Sequence, residues 1–192
     1  MPLTPFHLGP ALVLALVLLW FMDLPALLLG SIVPDIEAAA AMMWFPNWPF
    51  PMHGFLHSFV GGTLLSLVLA VVIFPIRKHL EIPLRFLKLD QKRSFPRIFA
   101  GALIGVYSHI LLDAPLYADI KPFWPLGLNP LLSEGSVRGL MYGFCEISFV
   151  VAFVIYGIIL CLKLGILRAR LFLFHNLCGS SVVESQPISR KK

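Results

Sequence analysis

The sequence predicts an all-α protein, a polytopic transmembrane helical bundle, on three observations. Of 192 residues, 58% are hydrophobic and only 13% charged, whereas a soluble domain usually carries about a quarter charged residues. Four main apolar segments, at 8–33, 55–76, 97–113 and 140–162, approach or exceed the length of roughly 20 residues that a spanning helix needs. The basic residues gather in one loop and after the last apolar segment, as the positive-inside bias requires. A net charge of +5 therefore reads as membrane orientation, and no nucleic-acid-binding face is expected.

The first segment, "LVLLWFMDLPALLLGSIVPD", carries Asp23 and Pro25 in mid-run. A charge at the bilayer centre costs at least a few kcal/mol, but a carboxylate two residues before proline is a helix start, with Asp23 as N-cap and Pro25 in the first turn. The segment is expected to form a hairpin, a helix over 6–22 turning at Phe21–Pro25 into a shorter helix over 25–34. Other helices must cover such a broken segment in lipid. The competing layout is one tilted helix from His7 to Pro34. It would leave His7 about 40 Å from Asp35 at 1.5 Å per residue, so the position of His7 discriminates between the two. No Lys or Arg precedes this apolar run, which argues against a cleaved signal peptide.

The second and fourth segments are long enough to span, and the third, "IFAGALIGVYSHILLD", just suffices. Residues 1–165 are expected to form a single integral-membrane domain, and 166–192 a basic, disordered C-terminal tail. The loop 77–97 holds Arg77, Lys78, Arg85, Lys88, Lys92, Arg93 and Arg97. This loop and the C-terminus are assigned to the cytoplasm of a multi-pass inner-membrane protein, which puts 34–54 and 114–139 outside. Both outer loops have the Trp, Phe and Pro character of interfacial segments. Cys145, Cys161 and Cys178 lack CxxC spacing and read as small apolar packing residues.

The polar residues fall at one face of this layout. Asp35 and Glu37 follow the first segment, His53 and His57 open the second in "PMHGFLHS", and His109 and Asp113 close the third in "YSHILLDAP". Residues at i and i+4 share a helix face. His109 and Asp113 can therefore point together, as can His53 and His57 if their helix begins by residue 53. Imidazole nitrogens and carboxylate oxygens suit zinc or a similar transition metal. Asp119, Lys121 and Glu134 read as solvated loop charges, and Glu146 as a carboxylate buried in the last helix beside Arg138 or the cluster.

"TPFHLGPAL", "GSIVPDIE", "HGFLHSFVGG" and "SHILLDAPLY…PFWP" resemble, in that order, the motifs of the YdjM-like family of integral-membrane metal-dependent hydrolases. The resemblance implies a metal site built from His7, Asp35, Glu37, His57, His109 and Asp113. Two departures stand out. Glu37 replaces the second aspartate of a PDxD motif. In the HRGxTHS motif, Met52 stands at the first histidine and His53 where arginine is usual, so His53 is either a displaced ligand or a substitute for that arginine's charge.

Together these readings predict a divalent metal ion, zinc first, held by His57, His109, Asp113, Asp35 and His7 or His53. Glu37 would serve as general base toward an ester or phosphoester, with a lipid or lipid-linked substrate suggested by location at the interface. The rivals are an ion- or proton-coupled transporter and a non-catalytic structural membrane protein.

Overall fold

The computed structural model describes residues 4–44, 53–133, 135 and 137–180. Most of the aromatic-proline stretch 42–52, Glu134 and residues 181–192 lie outside the described residues. Seven α-helices are described: α1 (Leu8–Val17), α2 (Leu24–Gly30), α3 (Asp35–Trp44), α4 (Phe59–Ile76), α5 (Glu81–Phe86), α6 (Phe95–Asp113) and α7 (Val137–Ser180). Single 3-10 turns precede α1, α4 and α5, and there is no strand among the described residues. Among the described residues, three stretches are long and apolar enough to cross a membrane: Phe59–Phe86, Phe95–Asp113 and Val137–Ile166.

The first apolar segment is a helical hairpin. Asp23 has extended backbone angles (φ −81°, ψ 118°), its side chain accepts from Ala26 N, and a proline occupies the first turn of α2. This is the N-cap that the sequence called for. The hairpin is shorter than expected, because α1 stops at Val17 and residues 18–23 form the turn. That turn exposes backbone groups that need partners at membrane depth. Gln91 supplies several of them, donating to the Leu19 and Met22 carbonyls (both 2.6 Å) and accepting from Leu24 N at 2.9 Å. Arg97 donates to Leu19 O at 3.0 Å and accepts on its own carbonyl from Asp23 N at 3.1 Å. The Asp23 carboxylate is paired with Arg77, whose Nε lies 2.6 Å from Oδ2, and both side chains are buried. Arg77 therefore leaves the set of free loop charges assigned to topology and becomes part of the core.

Helix α6 organises the bundle, lying against α2 and α4. Gly101 and Gly105 let α2 sit on it backbone to backbone: a Cβ at Gly101 would be 2.6 Å from Asp23 O, and one at Gly105 would run into Leu27 O. Small residues at such crossings replace the hydrophobic drive that lipid cannot provide. Ala26, Ala70, Ile73, Ile98 and Ala102 pack together where α2, α4 and α6 meet. The opposite face of α4 presents Val68, Val71 and Val72 outward, which is the surface expected of a helix facing acyl chains.

The last segment departs most from expectation. Helix α7 continues to Ser180, so the first part of the segment read as a disordered tail is helical. No proline interrupts the chain between Pro130 and Pro187, and nothing else in 163–177 stops a helix rich in Leu, Arg and Lys. The backbone divides into units Met1–Ile155 and Tyr156–Lys192.

Candidate metal centre

Asp35, His57, His109 and Asp113 converge. All four are buried, and one ligand atom from each lies within 4.8 Å of the others. They come from three places: the first residue of α3, the 3-10 turn Phe55–His57, and two positions one turn apart in α6. His109 Nε2 stands 3.4 Å from Asp35 Oδ1 and 3.5 Å from Asp113 Oδ2. His7 joins from the start of α1, with Nε2 3.4 Å from Asp113 Oδ1 and its ring 4.2 Å from that of His109. Only the hairpin brings His7 to this face, so its position excludes the single long helix.

The back nitrogens of two rings are already engaged. His109 Nδ1 lies 2.8 Å from Ser31 O. A carbonyl has no hydrogen to give, so Nδ1 carries the proton, and in the neutral ring Nε2 presents a lone pair to the cluster. His57 Nδ1 lies 3.3 Å from Glu37 Oε2, the oxygen that also accepts from Gly54 N at 3.1 Å. Its Nε2 is likewise left as an acceptor. Burial pushes the His57 imidazole below its ordinary range, against the Glu37 hydrogen bond that pulls it up. The neutral, ligating form is thereby favoured.

The buried atoms His7 Nε2, His57 Nε2, His109 Nε2 and Asp113 Oδ1 make no hydrogen bond among the described residues. Lone pairs facing carboxylate oxygens repel unless a cation or proton lies between them. Ligands about 2.1 Å from a tetrahedral ion stand about 3.4 Å apart, and the closest contacts of the cluster have that spacing. The residues present therefore fit a divalent ion with mixed nitrogen and oxygen ligands. Histidines anchored through their second nitrogen to a carbonyl or carboxylate are the usual support for such a site.

Glu37 and His53 lie outside this group. Glu37 stands on the Nδ1 side of His57, away from the nitrogen that faces the cluster, and a Cβ on Gly54 would run into its carboxylate. His53 Nδ1 is 3.0 Å from both Asp119 oxygens, while its backbone N–H donates to Asp119 Oδ2 at 3.1 Å. His53 and His57 do not share a helix face. Helix α4 begins only at Phe59, because Ser58 Oγ caps it from Gly61 N at 3.0 Å and Phe59 N is taken by Pro122 O at 2.9 Å. The bend and 3-10 turn instead set the two rings edge to face at 4.7 Å.

Asp119, expected from the sequence to be a solvated loop charge, is the partner of His53. Burial raises its carboxyl, yet the His53 hydrogen bond and charge outweigh this and hold it below the ordinary value. Tyr117 covers His53 with ring centroids 4.4 Å apart. Asn129 ties down this loop by donating to Ala114 O and Tyr117 O at 2.7 and 3.1 Å. The available signal was a tyrosine and an acid just after Asp113, in a loop otherwise poor in charge. Glu146, read as a buried carboxylate, is exposed, and its neighbour Cys145 is the residue turned inward.

The family model described as YdjM inner membrane protein matches residues 1–183. No curated protein and no solved structure matches the chain. The chain belongs to the YdjM inner membrane protein family, and with its apolar helices it is an integral inner-membrane protein in contact with membrane lipid.

Proposed function

We propose that this member of the YdjM inner membrane protein family is a metal-dependent hydrolase acting on an ester or phosphoester at the membrane interface. One observation carries the reading: buried histidine and aspartate donors from three elements aim lone pairs at a common point, two of the rings anchored from behind. His57, His109, Asp35 and Asp113 would hold the ion, zinc first, with His7 as a further donor. A bound ion of this kind supplies Lewis acidity and a bound water with a pKa near 7. Ser31 O and Glu37 fix which nitrogens of His109 and His57 face it. The proposed role of Glu37 is to hold the His57 tautomer rather than to act as general base, since its Oε2 is engaged by two donors. The basic loop and C-terminus are proposed to be cytoplasmic, which puts the site at the outer face.

The transporter reading finds little support between the two polar layers of the bundle. Leu27, Ala102 and Val106 lie buried between the histidine cluster and the Asp23–Arg77 pair, and they offer no relay for a proton or cation. Metal analysis of purified protein tests the proposal. Wild type is expected to carry close to one divalent ion per chain and to cleave a soluble p-nitrophenyl ester or phosphoester. A His57→Ala/His109→Ala variant should do neither. Equal, negligible metal in both proteins sinks the reading.

A further inference from the structure

Below the metal centre, α1, α6 and α7 enclose a groove of about 400 Å³ lined by Pro10, Val13, Leu14, Leu111, Phe144 and Ile147, among others. Its origin is local. Gly9 brings α1 onto the α7 backbone, where a Cβ would meet Cys145 O. One to two turns further along, Val13 and Leu14 of α1 and Ile147 and Val151 of α7 line the groove. The groove wall offers no hydrogen bonds. Its only hydroxyls, Ser108 and Ser148, donate to their own helix carbonyls, Gly105 O at 2.8 Å and Phe144 O at 2.7 Å. A polar ligand would lose its hydration there without replacement, whereas a hydrocarbon chain loses nothing.

The groove opens on a face that meets lipid. Leu111, in the last turn of α6, and Phe144 and Ile147 of α7 are 51%, 53% and 64% exposed, and in an integral inner-membrane protein apolar side chains exposed on spanning helices face lipid. Many surfaces of such a protein touch lipid, but this one is concave and within the size range of ligand sites. It also leads to the chemistry. Leu112 lines both the groove and a smaller opening bounded by His7, Asp113, Tyr142 and Cys145.

We propose that this groove binds the acyl chain of a membrane phospholipid and so presents the headgroup end of that lipid to the His7–Asp113 side of the metal centre. The substrate class is then an acyl-bearing phospholipid, an assignment that rests on the hydrolase reading, although the binding itself does not.

The test places wild-type protein in nanodiscs containing a phospholipid with a diazirine in mid-chain and maps adducts after photolysis. Labelling should concentrate on Val13, Leu14, Leu111 and Ile147, several-fold above the equally lipid-facing Val68, Val71 and Val72 of α4. Leu111→Trp and Ile147→Trp alter outward positions and fill the groove. They should remove that excess and abolish cleavage of a long-chain phospholipid, while sparing a soluble short-chain p-nitrophenyl phosphodiester. Labelling spread evenly over both faces overturns the groove, whatever the activity. Concentrated labelling with no cleavage of either substrate by wild type keeps the lipid site and overturns the hydrolase reading.

Discussion

The two ends of the bundle each bury ionisable side chains, and they do so in opposite ways. At the hairpin turn, a donor meets an acceptor: Arg77 Nε reaches Asp23 Oδ2 at 2.6 Å, and Asp23 Oδ1 takes the Ala26 N–H. The atoms left over there are N–H groups, on Arg77 and Arg97. At the other end acceptor meets acceptor. The leftover atoms there are both ring nitrogens of His7, Nε2 of His53, His57 and His109, and an oxygen of Asp113. The first arrangement completes itself from the chain's own charges. The second is stable only with a cation or extra protons at its centre, and protons and metal compete for the same lone pairs. Burial alone does not separate structural from functional polar groups; the sign of what faces what does.

Mutations at the two ends should therefore fail differently. The largest effect is expected from His109→Ala, which should remove bound metal altogether by elemental analysis while leaving a folded, monodisperse protein in detergent. Loss of folding with retention of metal would reverse the contrast. Next, Asp23→Ala leaves an unpaired guanidinium in the core and should destabilise by about 3–5 kcal/mol. In thermal unfolding, Asp23→Ala combined with Arg77→Met should recover most of that loss, and failure to recover would mean the pair does more than neutralise itself. Removing the anchor of His57 is milder: Glu37→Ala should weaken metal affinity by roughly 10–100-fold, measured by competition with a chelator. Glu37→Gln should recover part of it, because its amide oxygen can still accept. Last, Glu146→Gln, at an exposed position, should change stability by no more than about 0.5 kcal/mol and leave metal content unaltered.

The fold was legible where local chemistry decides it. Asp23 before Pro25 announces a cap, and the apolar runs announce helices. The site was legible in its residue types, because histidines and acids stand out in a chain with so little charge. Partners far apart in sequence could not be read. Nothing local ties Asp23 to Arg77, or His53 to Asp119 at a separation of 66 residues. The condition for His53 and His57 to share a helix face, a helix beginning by residue 53, is not met, since a serine cap and a contact to Pro122 delay the start of α4. Exposure of Glu146 depends on which face of α7 turns inward, and in a helix apolar all round the sequence carries no such mark.

The Asp23 pairing also has a consequence for synthesis. Its partner lies 54 residues downstream, so at about 5–20 residues per second the ribosome needs roughly 3–11 s to supply Arg77 after Asp23. During that interval the nascent hairpin holds a carboxylate with no counter-charge, and it cannot settle at its final depth as a finished unit. The opening segment must wait for α4 before it is locked. Shortening or charge-reversing the stretch that delivers Arg77 should therefore register first as a failure of membrane insertion, before any effect on the mature protein.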